Sequence, residues 1–418
     1  MPSMRALLIS AGSRGDFQPM LALAVALRAA GHEVTLTAGA SFAPEAAAFG
    51  VPFEIVGMDT KQWMDENAKR MSFTPLNAAF ELLKLVRTEF QVQLDGALPL
   101  ARESDIVIGG GAMLAAPTVA DAAGVPLRYL AFTPQVFRSQ HHAPFLLHFT
   151  DLPPLVNRAL WMGSRFLTER ILRAAVNPAR AAFGLSYVDD LQSHVFPVGE
   201  AIVAADPELC PVAPDLSSKV SPVGSFELPD DRPLPADLEA FLRAGPPPVY
   251  LGFGSMPDKD PPRTTRLLID AVRSSHVRAI LSRGWAGFDA ENDRDLFVAG
   301  PLSHRALFPR CAAIVHHGGA GTTHAAARAG VPQIVVPHAF DQFQFSAWVE
   351  RAGVGTARLP RTKLSWSALS DRLDRVTTDR AMRSRAAALG ERMRARDPLR
   401  DAIAILERVV DAPKRARA

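Results

Sequence analysis

A glycine-rich run that follows two histidines is the segment of this sequence best suited to binding an anion. Its residues are His316-His317-Gly318-Gly319-Ala320-Gly321-Thr322-Thr323. The apolar residues 312–315 before it predict a buried strand, and residues 322–329 predict a helix. A strand, a glycine-rich turn and a helix present free backbone N–H groups and a positive helix end to an anion. We therefore predict a diphosphate site with His317 as an added donor; a tight turn without a ligand is the alternative.

An acid and an amide, Asp341 and Gln342, follow the next predicted strand, residues 333–336. In open α/β sheets, ligands bind beyond the carboxyl ends of the strands. A carboxylate beside an amide offers both acceptors and donors to adjacent hydroxyls of a sugar. We therefore predict that this pair binds a sugar. Asp341 would also suit the N-cap of the following helix, and both roles can hold at once.

Strands and helices alternate along both halves of the chain. The predicted strands are residues 6–10, 33–38, 105–109 and 126–131 in the first half and 249–253, 278–281, 312–315 and 333–336 in the second. The first helix is predicted over residues 19–30, with Pro19 at its first position and Gly31 after its end. This alternation predicts an α/β fold built on doubly wound parallel sheets.

The composition divides the chain into two Rossmann-like domains, which we expect to face each other across a cleft. The first domain covers residues 1–225, and a Pro-rich linker of residues 226–247 separates it from the second domain, residues 248–395. Residues 396–418 are predicted to form a C-terminal helix and a basic tail, which could pack back on the first domain.

Two apolar segments, residues 60–100 and 135–195, interrupt the alternation of the first domain, and we expect both to be mostly helical. Phe145-Leu146-Leu147-His148-Phe149 is apolar at consecutive positions, which is more than one helical stripe can bury against a sheet. Ligand cavities are mostly apolar. We therefore predict that Phe145 and Phe149 line a cavity for a lipophilic ligand.

The whole pattern resembles the family 1 glycosyltransferases of the GT-B fold. Residues 316–342 resemble the donor-binding signature of that family, and residues 12–19 and 252–256 are similar to the loops that open its two domains. The chain looks most like bacterial antibiotic (macrolide and glycopeptide) glycosyltransferases and sterol glucosyltransferases. The resemblance implies an inverting transfer of a hexose or deoxyhexose from a nucleotide diphosphate sugar, with UDP-glucose preferred. The acceptor would be a hydroxyl of a sterol, polyketide, terpenoid or lipid, bound by the N-terminal domain.

The resemblance also assigns roles to individual residues. The implied diphosphate ligands are Ser255, His317, Gly319, Gly321 and Thr322; the implied sugar ligands are Asp341 and Gln342; and the implied neighbours of the nucleotide base are Trp285, Pro301 and Leu302. Asp16, in a predicted loop three residues before Pro19, is the implied catalytic base. Capping of the following helix is the alternative role for this residue. The family usually has proline where Ser303 stands.

Two other functions fit the same architecture. A nucleotide-sugar epimerase would not need the apolar insertions, and a non-catalytic activator partner would not need to keep both the donor motif and the base. We expect no cofactor, because the nucleotide sugar is a co-substrate. We also expect no metal requirement, because the helix N-terminus and His317 would stabilise the leaving group. The Asp-x-Asp triplets at 258–260 and 293–295 are interpreted as solvated loop charges.

The charge and the cysteine content narrow the class of protein. The 46 basic and 43 acidic residues give a net charge of +3, which gives no reason to expect nucleic-acid binding. The two cysteines have no metal or redox spacing, and no signal peptide or membrane-spanning run is present, so we expect a cytoplasmic protein. The basic tail, residues 413–418, is interpreted as a frayed terminus, with a peripheral membrane or partner contact as the alternative.

Overall fold

Two parallel β-sheets form the framework of the protein. The computed structural model describes residues 3–60, 62–63, 75–230 and 232–411, with the backbone alone for residues 75–87. The strands are β1 (Arg5–Ala11), β2 (Glu33–Ala38), β3 (Phe53–Ile55), β4 (Ile106–Gly111), β5 (Leu127–Ala131), β6 (Ala201–Val203), β7 (Ser221–Pro222), β8 (Val249–Gly252), β9 (Ala279–Ser282), β10 (Leu296–Ala299), β11 (Ala313–His316) and β12 (Gln333–Val335). The first sheet has the order β3-β2-β1-β4-β5-β6-β7, and the second has the order β10-β9-β8-β11-β12.

Helices connect the strands and cover the sheets. They are α1 (Arg14–Ala29), α2 (Ala43–Ala48), α3 (Pro75–Arg102), α4 (Ala116–Ala123), α5 (Pro154–Ala182), α6 (Leu191–Val195), α7 (Ala236–Arg243), α8 (Pro261–Ser274), α9 (His304–Leu307), α10 (Ala320–Ala329), α11 (Gln342–Arg351), α12 (Trp366–Thr378), α13 (Arg380–Arg394) and α14 (Pro398–Asp411). Within the described residues, none of these helices is long and apolar enough to cross a membrane.

Each sheet reverses its strand order at one point. In the first sheet β1 pairs with β2 on one side and with β4 on the other. In the second sheet β8 lies between β9 and β11. Because connections leave in opposite directions at such a point, a crevice opens beyond the carboxyl ends of these strands. The segments after β1, β8 and β11 therefore line the two crevices of the protein.

Helix α1 begins earlier than the sequence predicts. Ser13 is its N-cap, and the Ser13 hydroxyl accepts a hydrogen bond from the Gly15 N–H at 3.2 Å. Asp16, three residues later, accepts from the Ser13 N–H at 2.8 Å, which completes a capping box. The predicted start at Pro19 and the predicted loop position of Asp16 are therefore wrong. Pro19 lies inside the helix, and Asp16 lies in its first turn.

The segment predicted as mostly helical at 135–195 is helical only in its second part. Residues 138–153 form no helix or strand and precede α5. Local contacts replace a helical ladder there, since the Trp161 indole donates to the His142 carbonyl at 2.8 Å and the Gln135 amide donates to the Ala143 carbonyl at 3.1 Å. The apolar residues around Phe145 are therefore consecutive in an irregular segment, where no helical stripe restricts which side they face.

The last described helix returns to the first sheet. In α14, Ala402 and Leu406 are fully buried in the apolar core that also contains Leu8 and Leu23. A second apolar core joins the two halves directly, with Tyr129 on β5 and Trp348 on α11 among its members. The basic residues predicted to form a tail at 413–418 lie outside the described residues.

Candidate active site

Asp16 lies at the reversal point of the first sheet, in a space that two glycines leave open. A Cβ on Gly12 would lie 2.3 Å from Oδ2 of Asp16, and a Cβ on Gly111 would lie 2.9 Å from its Cβ. Both glycines have positive φ, at 131° and 67°, which other residues rarely adopt. Enclosure by the surrounding protein raises the pKa of Asp16 to about 6. Its carboxylate is therefore more basic than an ordinary aspartate and still ionised at neutral pH.

The predicted diphosphate turn opens helix α10. Gly319 is the N-cap, and its lack of a side chain leaves the helix end without a side-chain cap. The N–H groups of Ala320, Gly321 and Thr322 belong to the first turn, where a helix offers no acceptor of its own. Gly321 is exposed, and a Cβ there would meet no atom within 4 Å. The end of this helix is thus open to an anionic ligand.

His317 lies between the two glycine turns of the second sheet. A Cβ on Gly254 would lie 2.7 Å from its Cε1 atom, and a Cβ on Gly319 would lie 2.4 Å from its Nε2 atom. Burial lowers the pKa of His317 well below its usual value, so the ring is neutral at physiological pH. Its Nδ1 atom is buried without a hydrogen-bond partner. Ser255 directly follows Gly254, so the turn that contains it faces the same histidine.

The neighbouring histidine is used differently. The His316 Nε2 atom bonds the Gln333 side-chain oxygen at 2.8 Å, and its Nδ1 atom accepts from the Gly318 N–H at 3.1 Å. Both ring nitrogens are therefore occupied by the protein. Of the two adjacent histidines, His317 is the one that can offer a ring nitrogen to a ligand.

Asp341 begins α11 but makes no side-chain capping hydrogen bond. The alternative prediction that the Asp341 side chain caps this helix is therefore wrong. The residue before it, Phe340, has a φ of 56°, a strained value for an aromatic residue. Burial and then the negative charge of Asp16 raise the pKa of Asp341 to about 7. The two halves of the chain thus bring Asp16 and Asp341 into the same region.

Gln342 is largely occupied by its own loop. Its side-chain oxygen accepts hydrogen bonds from the His338 N–H at 2.8 Å and from the Ala339 N–H at 3.1 Å. Its amide nitrogen lies 3.4 Å from the Met256 sulfur. The side chain therefore fixes the loop that precedes Asp341 and ties it to the turn after β8.

The predicted base-flanking residues lie beyond the ends of β9 and β10. The half-buried Trp285 donates its backbone N–H to the Gly254 carbonyl at 2.9 Å, which holds this loop against the turn that contains Ser255. Pro301 is exposed and Leu302 is half-buried, and both follow the neighbouring strand. Ser303 caps α9 and donates its hydroxyl to the Asp230 carbonyl at 3.0 Å.

The predicted acceptor residues lie in the irregular segment before α5. Phe145 is half-buried and packs edge-on against Phe196, with ring centroids 6.4 Å apart, whereas Phe149 is 52% exposed. Between them, His148 stacks on Phe343 of α11 with ring centroids 4.3 Å apart. Phe343 is the second residue of the helix that follows Asp341, so this segment contacts the helix next to the predicted sugar residues.

One of the two aspartate triplets was misinterpreted from the sequence. The Asp258 carboxylate is almost fully buried and pairs with Arg361 at 2.7 Å, so it is not a solvated loop charge. Asp293 accepts hydrogen bonds from the Asp295 and Leu296 N–H groups, both at 2.8 Å. Among the residues that the structure describes, no group of three or more His, Cys, Asp or Glu side chains could hold a metal ion.

Comparison with known proteins decides the family. A family model for the glycosyltransferase family 28 N-terminal domain matches residues 6–127, and one for the erythromycin biosynthesis protein CIII-like C-terminal domain matches residues 296–408. Glycosyltransferase GtfE of Amycolatopsis orientalis is 39% identical over 367 residues, which cover 85% of this chain and 86% of that protein. The chain belongs to the glycosyltransferases of the GT-B fold. The resemblance to antibiotic glycosyltransferases is thereby confirmed.

Further relatives agree with this assignment. The vancomycin aglycone glucosyltransferase of Amycolatopsis orientalis is 38% identical over 360 residues, which cover 85% of this glycosyltransferase and 86% of that enzyme. Among solved structures, the kitacinnamycin glycotransferase superposes with a TM-score of 0.73 at 18% identity, over 98% of this chain and 100% of that one. The predicted α/β architecture with two parallel sheets is confirmed.

Three residues of the site were missed by the sequence analysis. Ser13 is the hydrogen-bond donor to Asp16, and the stacked pair His148 and Phe343 joins the predicted acceptor segment to the helix that follows the predicted sugar residues. A serine three residues before an acid is the pattern of a capping box and could have identified Ser13. No local pattern indicates the stacked pair, because its members come from opposite halves of the chain.

Proposed function

We propose that this glycosyltransferase inverts the anomeric carbon of a nucleotide diphosphate sugar, preferably UDP-glucose, as it transfers the sugar to a hydroxyl of a small lipophilic acceptor. The main support is one arrangement. A carboxylate of raised basicity, Asp16, lies at one sheet, and an open helix N-terminus beside the neutral His317 lies at the other. Burial and then the negative charge of Asp16 raise the pKa of Asp341, which begins the helix after the neighbouring strand of the second sheet.

In this proposal Asp16 accepts the proton of the acceptor hydroxyl as that oxygen attacks the anomeric carbon. The two hydrogen bonds from Ser13 both end on Oδ2, so neither uses Oδ1. Gly111 leaves room beside Oδ1, because a Cβ at that position would lie 3.0 Å from it. A pKa of about 6 makes the group ionised at neutral pH and more basic than a solvated aspartate, as general-base catalysis favours.

The leaving diphosphate would be held at the start of α10. The N–H groups of Gly321 and Thr322 and the helix end supply positive potential, and His317 and Ser255 would add donors from the two turns beside it. Donors aimed at charge that develops during bond cleavage lower the barrier. These groups let the chain stabilise the negative charge of the diphosphate with its own donors, so we propose that no added metal ion is required.

The sugar and the base would occupy the space on either side of the diphosphate. We propose that Asp341 accepts hydrogen bonds from sugar hydroxyls and that Gln342 supports it by fixing the preceding loop. Trp285, Pro301 and Leu302 would flank the nucleotide base beyond β9 and β10. The acceptor would contact Phe145 and Phe149, whose apolar rings suit a lipophilic hydroxyl compound. We place the reaction in the cytoplasm, because the buried cysteines Cys210 and Cys311 are unpaired.

The decisive experiment is a transfer assay with defined products. Purified protein is incubated with UDP-glucose or TDP-glucose and with vancomycin aglycone or cholesterol, and the products are analysed by mass spectrometry and NMR. We expect a β-glucoside from the α-linked donor. Retention of the α configuration would contradict the inverting mechanism. Epimerised donor without any glycoside would favour the epimerase instead. If the wild-type protein converts neither donor with either acceptor, the non-catalytic partner would be favoured.

A further inference from the structure

One buried histidine outside the proposed site joins the two halves of the chain. His324 lies on α10, one helical turn after Ala320, and is 3% exposed. Its Nδ1–H donates to the Ala320 carbonyl at 2.8 Å, and its Nε2 atom accepts the backbone N–H of Asp206 at 3.0 Å. Asp206 belongs to the first half, so this side chain links the predicted diphosphate helix to the sheet that positions Asp16.

The first-half partner of His324 is held rigidly. Asp206 follows β6, and its carbonyl accepts from the Cys210 N–H at 2.8 Å while its Oδ1 atom accepts from the Glu208 N–H at 3.0 Å. These bonds close a tight turn, which fixes the direction of the Asp206 N–H. The Cys210 sulfur lies 3.6 Å from Nε2 of His324, and burial raises the pKa of this thiol well above its usual value. The thiol is therefore protonated and adds a weak donor to the same nitrogen.

The bonding partners define the state of the His324 ring. A carbonyl can only accept, so Nδ1 is protonated, and a backbone N–H can only donate, so Nε2 is not. Burial lowers the pKa of His324, which favours this neutral form. If Nε2 were lost, the Asp206 N–H would stay buried without a hydrogen-bond partner, which is unfavourable.

We propose that His324 is a positioning residue for glycosyl transfer, because its bond to the Asp206 N–H fixes the first turn of α10 relative to the sheet that positions Asp16. The inference rests on the diphosphate site proposed above. In-line attack requires the acceptor oxygen at Asp16 and the leaving oxygen at α10 to be aligned, and a misplacement of about 1 Å can cost roughly 10²-fold in rate. The ion pairs that join α10 and α13 to the first half are more exposed than this hydrogen bond. Arg328 of α10 pairs with Glu227 at 3.3 Å with both side chains partly exposed, and the pair of Glu208 with Arg392 of α13 is more exposed still.

Two amide substitutions separate the two hydrogen bonds of His324. In His324→Gln the side-chain oxygen reaches the position of Nε2 and can accept from Asp206. In His324→Asn the shorter amide occupies the position of Nδ1 and keeps only the bond to Ala320. Both variants are neutral and polar, and only the Gln variant can keep the hydrogen bond to Asp206 that joins the two halves. Arg392→Ala is the control, because it removes the exposed ion pair of Arg392 with Glu208, which also joins the two halves of the chain.

The measurements are UDP affinity by calorimetry, kcat for transfer from UDP-glucose or TDP-glucose to vancomycin aglycone, and hydrogen exchange of peptides 204–210 and 318–324. For His324→Asn we expect kcat to fall at least tenfold with UDP affinity within threefold of wild type, and faster exchange in both peptides. His324→Gln and Arg392→Ala should keep kcat within about threefold. If the Asn variant keeps wild-type kcat or fails to fold while the Gln variant folds, the positioning role is wrong.

The same measurements on His317→Ala distinguish a failure of this inference from a failure of the proposed donor site. If His317→Ala leaves both UDP affinity and kcat unchanged, the diphosphate site itself is misplaced. If His317→Ala weakens UDP binding but His324→Asn retains wild-type kcat, only the role of His324 is overturned. Unchanged hydrogen exchange in the Asn variant would also overturn it, and that readout does not depend on the acceptor chosen.

Discussion

Ser13 donates two hydrogen bonds to a single oxygen of Asp16, one from its backbone N–H at 2.8 Å and one from its hydroxyl at 3.1 Å, and both end on Oδ2. Hydrogen bonds to a carboxylate favour its charged form, so they oppose the burial that raises its pKa. One oxygen of Asp16 thus completes the capping box of α1. Oδ2 caps the helix, and Oδ1 is free of these bonds and could accept the proton, so Asp16 can serve both in capping and in the proposed catalysis.

Replacement of the base isolates proton transfer from binding. In Asp16→Asn the side-chain oxygen can still accept the bonds from Ser13, but the amide cannot take a proton. We expect kcat for transfer to fall by about 10²–10⁴-fold, the usual contribution of a general base, with UDP affinity nearly unchanged. Steady-state kinetics and calorimetry test this together. Near-normal turnover of the variant would refute the assignment of Asp16.

The Ser13 hydroxyl provides a graded companion to that experiment. Ser13→Ala removes one of the two bonds that favour the charged carboxylate, so the pKa of Asp16 should rise above about 6. Transfer needs the ionised form, so the acidic limb of the kcat–pH profile should move to higher pH in the variant. The variant also loses the cap on the Gly15 N–H, which costs roughly 1 kcal/mol of stability. An unshifted limb would show that another group limits the rate at low pH.

The two acids should also make stability depend on pH. Asp16 and Asp341 have pKa values of about 6 and about 7 in the folded protein, above the value of about 3.9 for an unfolded aspartate. Between pH 4 and 7 the folded state therefore binds more protons, and these groups lower stability as pH rises. We expect Asp341→Asn to raise Tm clearly at pH 8 relative to wild type and to have little effect at pH 4, where the carboxyl group is protonated in the folded state and about half protonated in the unfolded state. An equal effect at both values would contradict the raised pKa.

The sequence was sufficient for elements whose pattern is local. Residues 33–38 were predicted as a strand and form β2 (Glu33–Ala38), because a short, largely buried run between helical segments has few other interpretations. The start of α1 was predicted five residues late. Pro19 resembles a first helical residue, but the capping box of Ser13 and Asp16 begins the helix at Arg14 and places Pro19 inside it. The error arose because two patterns in this segment each predict a helix start, and only the capping box forms one.

The site was less predictable because its contacts are long-range. Each residue type could be recognised, but the electrostatic effect of Asp16 on Asp341 arises only when the two halves pack together. The bond between His324 and Asp206 uses a backbone N–H, which no pattern of side chains indicates. The prediction that residues 135–195 are mostly helical is wrong around Phe145, because apolar content alone does not distinguish a buried helix from an irregular segment that packs on a second domain.

Removal of the His317 ring tests the proposed diphosphate site. His317→Ala deletes a neutral donor beside the start of α10, and the adjacent His316 cannot replace it because both of its ring nitrogens are bonded. Loss of one donor at developing charge typically raises the barrier by ~2.7–4 kcal/mol. We expect kcat to fall accordingly and UDP to bind more weakly. If both kcat and UDP affinity are unchanged, His317 does not bind the diphosphate and has only a structural role at the end of β11.

A chelator tests whether the chain's own donors suffice for the leaving group. With the helix N-terminus and His317 at the diphosphate, transfer should persist in excess EDTA. Asp258 is already paired with Arg361, which leaves this triplet poorly suited to a cation. Complete loss of activity in EDTA, with recovery on adding magnesium or manganese, would show that a metal takes part. Asp293→Asn and Asp258→Asn would then locate it.

The exposed ring of Phe149 gives the sharpest test of the acceptor site. It is 52% exposed, so Phe149→Ala should leave folding intact, unlike Phe145→Ala, which also removes the packing on Phe196. Loss of a partly buried aromatic contact with a lipophilic acceptor is worth about 1–2 kcal/mol, roughly five- to thirtyfold in acceptor KM. Donor KM should change little, because the proposed donor site lies in the second half. Trp366→Ala, which removes an equally exposed aromatic ring at the start of α12, should change neither KM. If Phe149→Ala alters donor KM alone, the segment before α5 serves the sugar through His148 and Phe343, and the acceptor lies elsewhere.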